Sequence, residues 1–365
     1  MSPLLATPFH ARAAAANRLN AWENRCGFTL ATHYGNVAEE ALAARFGAVL
    51  GDLSWQWRVE LVGEQAPALV SRLFTRDASA LGLGAAMEVL WLNDAGAVRG
   101  QGTVVRLAPD RFRLVAAFAD ADWIADAARI FGVAVEDRKL GVLALIGPAA
   151  AKILKAAGLD ADLPPLSFRQ MVWRGLEVSL SRLSLGFAIV CDPDCALIVW
   201  DRLMAAGRGF ALMPAGQAAL DILEIESGVL RPGRDYTPCR EGFETAPSPQ
   251  SLGLCGLIDR AHLFNGRAGY LAAGPDAALC GVLFDGEAPA PNTLLTAGDA
   301  VVGSTLASCF SPVLRRAIAL AVLAEPWPGG PLHAIMATGK VVGRPVGLPF
   351  LPIPAPATET AGVGV

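Results

Sequence analysis

The chain has 365 residues, 53% hydrophobic and 18% charged, with a formal charge of −4 and a mean hydropathy of +0.41. At roughly 100 to 200 residues per domain it holds two or three globular domains, and its apolar content excludes disorder. The balance of 30 Lys+Arg against 34 Asp+Glu, without a basic run, excludes nucleic acid as a partner.

The N-terminus, MSPLLATPFHAR, has no basic segment leading into a long apolar stretch, so no signal peptide is expected and the compartment is read as cytoplasmic. Arg58 to Leu73 reads as an alternating strand, a turn at Gly63 and apolar residues at helical spacing. Gly102 to Leu107, a turn, Phe112 to Ala117 and a helix from Trp123 to Phe131 read as a hairpin followed by a helix. Val142 to Leu154 repeats the first pattern, with Pro148 suited to the first helical turn. Gly175 to Leu180, Phe187 to Val190 and a helix from Cys195 to Ala206 repeat the second. The agreement in order predicts two copies of one α+β module, strand, helix, hairpin and helix.

After Gly228 the texture changes to Pro and Gly punctuation, RPGRDYTP and ETAPSPQSLG, which reads as a connecting loop. Short β-like runs then follow, at Ala278 to Phe284, Ala300 to Leu306, Ala317 to Val322 and Leu332 to Met336, and predict a closing antiparallel β domain. PIPAPATETAGVGV reads as a loose tail. The expected division is 1–47 plus 139–270 for one α+β module with the loop, 48–138 for the other, and 271–365 for a barrel-like domain and tail. The longest apolar run, Ala317 to Ala324, stops at Glu325, short of the roughly 18 residues a membrane span needs, so no membrane partner is expected.

The seven cysteines, Cys26, Cys191, Cys195, Cys239, Cys255, Cys280 and Cys309, are odd in number and scattered, which argues against a disulfide framework. His10, His33, His262 and His333 are far apart, and no metal is expected. G-x-G-x-x-G, G-x-x-x-x-G-K-[ST] and G-x-S-x-G are absent.

Several short blocks in order resemble the aminomethyltransferase family, the glycine-cleavage T-protein and its tetrahydrofolate-dependent demethylase relatives. Thr7-Pro8-Phe9 resembles the family's TPLY, Gly51-Asp52-Leu53-Ser54 its FDVS, and Leu92-Asn93-Asp94-Ala95-Gly96 its LNxxGG. Leu145-Ile146-Gly147-Pro148 is similar to its GP-A turn, Ile225-Glu226-Ser227-Gly228 to its LE(A/S)G, and Phe310-Ser311-Pro312 with Ile318 to Ala321 to its SP and IALA blocks. The resemblance covers nearly the whole chain. It implies an α+β fold, the T-protein's three-domain cloverleaf with duplicated α+β modules and a C-terminal antiparallel β domain, around a pterin pocket.

The polar positions that the resemblance assigns to folate are changed. Counted from Gly96, the aspartate of I-I-D-D-L falls on Gly100-Gln101-Gly102, and the hairpin glutamate has no counterpart in Arg182 to Ile189. The arginine of L-R-L-E-A-G falls on Glu224, the asparagine of L-V-V-N-A on Ala117, and the histidine of D-V-S-H on Trp55. The relatives in iron-sulfur assembly carry K-G-C-Y-x-G-Q-E, where this chain has Arg240-Glu-Gly-Phe-Glu244.

The remaining candidates are aromatic and polar. Trp55 and Trp57, two apart on an expected strand, share a face, and with Trp91 they offer flat surfaces and indole N–H donors to a flat ligand, or else pack a core. His33, Tyr34 or Glu224 would serve as base, and Tyr236 or Gln101 as a donor for developing charge. Glu226 and Arg231 join the tryptophans as binding residues, an arginine being suited to a substrate carboxylate.

A folate-dependent fold without its folate contacts implies that the one-carbon unit leaves unaided. The expected activity is a lyase that eliminates formaldehyde from a hydroxymethyl group on a small, aromatic molecule, with no cofactor, acting as a monomer or homodimer. The alternatives are a tetrahydrofolate-dependent O- or N-demethylase, or a non-catalytic ligand-binding protein of the same fold.

Overall fold

A computed structural model describes residues 3–240, 247–274, 277–325, 329–337 and 339–354. The chain divides into two compact units, the first built from Met1–Trp55, Lys139–Leu223 and Ile353–Val365, the second from Gln56–Arg138 and Glu224–Pro352. Residues 241–244 of the REGFE segment and 355–365 of the tail lie outside the described residues.

The first unit is organised on a six-stranded sheet. Its order is Ser167–Trp173, Leu176–Leu183, Gly186–Cys191, Gly141–Ile146, Val49–Asp52 and Met213–Ala215, antiparallel except for the last pair. Strand Val49–Asp52, which the sequence boundary at 47/48 groups with 48–138, pairs instead with Gly141–Ile146, Leu143 opposite Asp52. Helices Ala150–Ala157 and Ala196–Gly207 bring Ile153, Leu154, Val199 and Leu203 onto Leu143, Leu145, Leu180, Phe187 and Ile189. The first of these helices ends because Gly158 adopts a left-handed conformation at φ 83°, so that Leu159 N–H turns back to the Leu154 carbonyl.

A second, smaller sheet in this unit orders Leu5–Ala6, Phe28–Ala31 and Trp22–Arg25. Helix Val37–Phe46 follows it, started by the Asn36 side chain, which accepts from the backbone of Ala38 and Glu39.

The second unit contains a five-stranded antiparallel sheet in the order Ala86–Leu92, Val98–Ala108, Arg111–Ala116, Trp57–Val62 and Ala134–Asp137. Helices Ala66–Leu73 and Ala121–Ile130 cover one face, setting Leu69, Val70, Leu73 and Ile124 on Val59, Leu61, Val104, Phe112 and Leu114. The two large sheets share the succession edge strand, hairpin, module-opening strand. The duplication read from the sequence is thus present in the topology.

The same unit carries a closed six-stranded barrel, ordered Ala277–Phe284, Arg316–Ala324, Ala300–Ser311, Leu294–Ala297, Leu332–Met336 and Gly339–Val346. Closure through the pairing of the first and last strands leaves no open edge. Strand Arg316–Ala324 is buried on both faces, Ala317, Ala319 and Ala321 in one core cluster and Ile318 and Leu320 in another, which is why it reads as an unbroken apolar run. Among the described residues no helix is long and apolar enough to cross a membrane.

Candidate functional site

In the second unit, strand Val98–Ala108 carries the position the resemblance gives to an aspartate. Its register shifts beside Trp91 and Leu92, and Gly100 lies so close to the Trp91 ring that any Cβ there would overlap it. Trp91 is fully buried and donates its indole N–H to Asp120 Oδ2 at 2.9 Å. Of the two readings open for it, a flat face for a ligand or core packing, Trp91 takes the core.

Asp120, 5% exposed at the head of helix Ala121–Ile130, also accepts from Arg99 at 2.7 and 3.1 Å and faces the Arg240 guanidinium at 3.5 Å. Arg99 covers the Trp123 ring and Arg240 the Phe118 ring. Arg240 also donates to the carbonyls of Arg99, Cys239 and Ala119, while Cys239 N–H donates to the Val98 carbonyl. The segment that follows Tyr236 is thereby laced along the start of the strand. Burial lowers the Arg240 pKa, with Arg99 adding to the fall and Asp120 opposing it.

Tyr236, 7% exposed, donates its hydroxyl to Gln101 Oε1 at 3.2 Å. Burial, and secondarily Asp235, raises the phenol pKa, so the group stays a neutral donor. The Gln101 Nε2 has no partner among the described residues and is not sealed from solvent.

Glu224, at the end of helix Gln217–Glu226, is bound by both Arg231 and Arg234, and Arg234 also binds Asp235. To act as a base it would first give up an ion pair. Glu226 is fully buried and accepts from Ser311 Oγ at 2.6 Å, joining this helix end to a barrel strand. Arg231 is buried, its side chain on Glu224 and its N–H on Asp235.

In the first unit, His33 and Tyr34 follow strand Phe28–Ala31. The fully buried Glu40 accepts from the N–H groups of Tyr34 at 2.7 Å, Gly35 at 3.0 Å and Gly216 at 2.8 Å, fixing the loop. His33 Nδ1 is buried with no partner among the described residues. Burial raises the Tyr34 phenol, followed by Asp52 and Glu40. Asp52 accepts from Thr7 Oγ1 at 2.6 Å and Ser54 N–H at 2.9 Å, and its carbonyl accepts from Gln217 Nε2 at 2.8 Å, so the blocks around Thr7 and Asp52 hold the chain together.

Trp55 and Trp57 do not share a strand face. Strand Trp57–Val62 begins at Trp57, which packs on the second unit's core, whereas Trp55 lies in the preceding turn, buried in the first unit beneath the Arg25 guanidinium.

Asp120 and Glu40 were not singled out from the sequence. The partners of Asp120 come from remote segments, whereas Glu40 takes two of its three from the loop just ahead of its helix and the third from Gly216. Among the described residues no group of three or more His, Cys, Asp or Glu side chains could hold a metal ion.

A pterin presents N–H groups to the family's acids. In the second unit Asp120, Glu224 and Asp235 are each engaged by arginines, and Gln101 offers an N–H where an acceptor is required. The residues of this unit do not fit a carboxylate-held pterin.

The architecture, a duplicated α+β module with a closed barrel, is that of the glycine-cleavage T-proteins. The solved aminomethyltransferase T of the Bartonella henselae glycine cleavage system matches with a TM-score of 0.86 over 96% of this chain and 99% of that one, at 24% identity. Residues 8–246 match the GCVT N-terminal domain family, and an aminomethyltransferase of Frankia alni is 33% identical over 301 residues, 79% of this chain and 81% of that one. The chain belongs to this family. A trimethylamine-oxide aldolase of Ruegeria pomeroyi is 28% identical over 321 residues, covering 81% of this chain and 40% of that relative.

Proposed function

We propose that this member of the family is a one-carbon-removing lyase, which releases formaldehyde from a hydroxymethyl group on a small aromatic molecule and needs no folate acceptor. The observation that carries this reading is the Tyr236–Gln101 pair standing where the family resemblance puts an acid. A carboxylate can exchange protons with a folate nitrogen; an amide held by a neutral phenol cannot.

In this reaction the hydroxyl loses its proton and its oxygen forms the carbonyl of formaldehyde. With a proton already on the ring carbon, as in the keto tautomer of a phenol, the bond to that carbon breaks, and its electron pair restores the aromatic ring and leaves the negative charge on the ring oxygen. The Gln101 amide N–H, with the carbonyl end of the amide engaged by the Tyr236 hydroxyl, is a donor suited to that developing negative charge. The trimethylamine-oxide aldolase relative supports the chemistry, because an aldolase leaves a carbonyl product and the only carbons of trimethylamine oxide are methyls. That support is bounded by the 40% of the relative's length that is matched.

A tetrahydrofolate-dependent demethylase is the competing reading, supported by the 33% identity to an aminomethyltransferase. Calorimetric titration with tetrahydrofolate, paired with a formaldehyde assay on hydroxymethyl phenols, separates the two. The lyase gives no detectable binding and releases formaldehyde in buffer alone. Micromolar binding, about −8 kcal/mol, with a methylated folate product and no turnover without folate, would reject it.

A further inference from the structure

Gln101 sits at a place where polarity decides what binds. Its carbonyl oxygen accepts from the Tyr236 hydroxyl, and its N–H groups form the other end of the amide. By register, Gln101 shares a face of the five-stranded sheet with Thr103 and Val105, and the cross-strand rows continue from Thr103 through Val115 to Arg58 and from Val105 through Arg113 to Glu60. On that face Arg58, Arg111 and Arg113 stand with Glu60, its row neighbour Glu136, and Glu88, which lies opposite Thr103. Beside it two guanidiniums, Arg99 and Arg240, share the single carboxylate of Asp120. The excess of positive charge lies in that cluster, two guanidiniums to one carboxylate.

The geometry points to Gln101 as a specificity-determining residue whose Nε2 donates to an oxyanion on the ligand, so that the ligand is bound as a phenolate. This deepens the proposed function, since it names the ring oxygen as the atom recognised. An acid at position 101 would repel that oxygen, whereas the amide attracts it, so the exchange that removes the family's pterin contact also selects the opposite kind of ligand.

The test is titration of the whole chain with 4-nitrophenol, read by the absorbance of its phenolate, for the wild type, Gln101→Met and Gln101→Glu. The wild type binds the probe as phenolate, at a pH where the free probe is partly neutral. Gln101→Met, which keeps the length and removes the donor, weakens binding about tenfold. Gln101→Glu weakens it further, and if that variant does not fold, Gln101→Met alone carries the result.

Equal affinity in wild type and Gln101→Met, or binding of the neutral phenol, overturns the inference. The formaldehyde assay is independent of it. Phenolate binding with no formaldehyde from any hydroxymethyl phenol sinks the lyase and leaves the oxyanion site, whereas formaldehyde release without phenolate binding does the reverse.

Discussion

At the scale of single residues, Asp120 holds more together than any group singled out by motif. One buried carboxylate meets an indole N–H and two guanidiniums, and those arginines come from the strand leading into Gln101 and the segment following Tyr236. Asp120→Ala leaves two cations uncompensated and costs about 3 kcal/mol of stability, measured as a fall in the urea midpoint; an unchanged midpoint would show that the cluster contributes nothing. Gln101 and Tyr236 were each legible from their place after a family block. Their contact was not, because 135 residues separate them and no periodicity reports a pairing of that length. Asp120 left no signal, since a buried charge can be recognised only once its partners are known.

At the scale of elements, the hairpins and helices of both modules were legible because one face of each is apolar and the other is not. The missed strands have different patterns. Ser167–Trp173 is an edge strand with exposed Arg169 and Gln170 and little alternation to read, and the barrel strand Leu294–Ala297 is four residues long. Strand Val98–Ala108 shows how an element's detail depends on a single side chain elsewhere, for Gly100 is needed by Trp91 and not by its own backbone. Gly100→Ala is therefore expected to destabilise by about 1–3 kcal/mol and to shift the tryptophan emission as the indole moves off Asp120. An unaltered emission spectrum and denaturation curve would mean that the ring has room to move.

At the scale of the whole molecule, the buried acids of neutral type set an alkaline limit. Burial raises the pKa of Tyr34, Tyr236, Cys191 and Cys280, the last from 9.0 to about 11. Between those values the unfolded thiol has lost its proton while the folded one keeps it, so stability present below pH 9 falls as the pH rises toward 11, by at most about 1.4 kcal/mol per pH unit for each group. Urea midpoints at pH 8 and pH 10.5 check this, and equal midpoints would contradict it. The order of the chain has a further consequence for how the molecule is made. Strand Val49–Asp52 leaves the ribosome before the entire five-stranded sheet of the second unit, yet its partner Gly141–Ile146 is translated only afterwards. That sheet, complete within one uninterrupted stretch, can close during synthesis, whereas the first unit must wait with an unpaired strand until the chain returns to it.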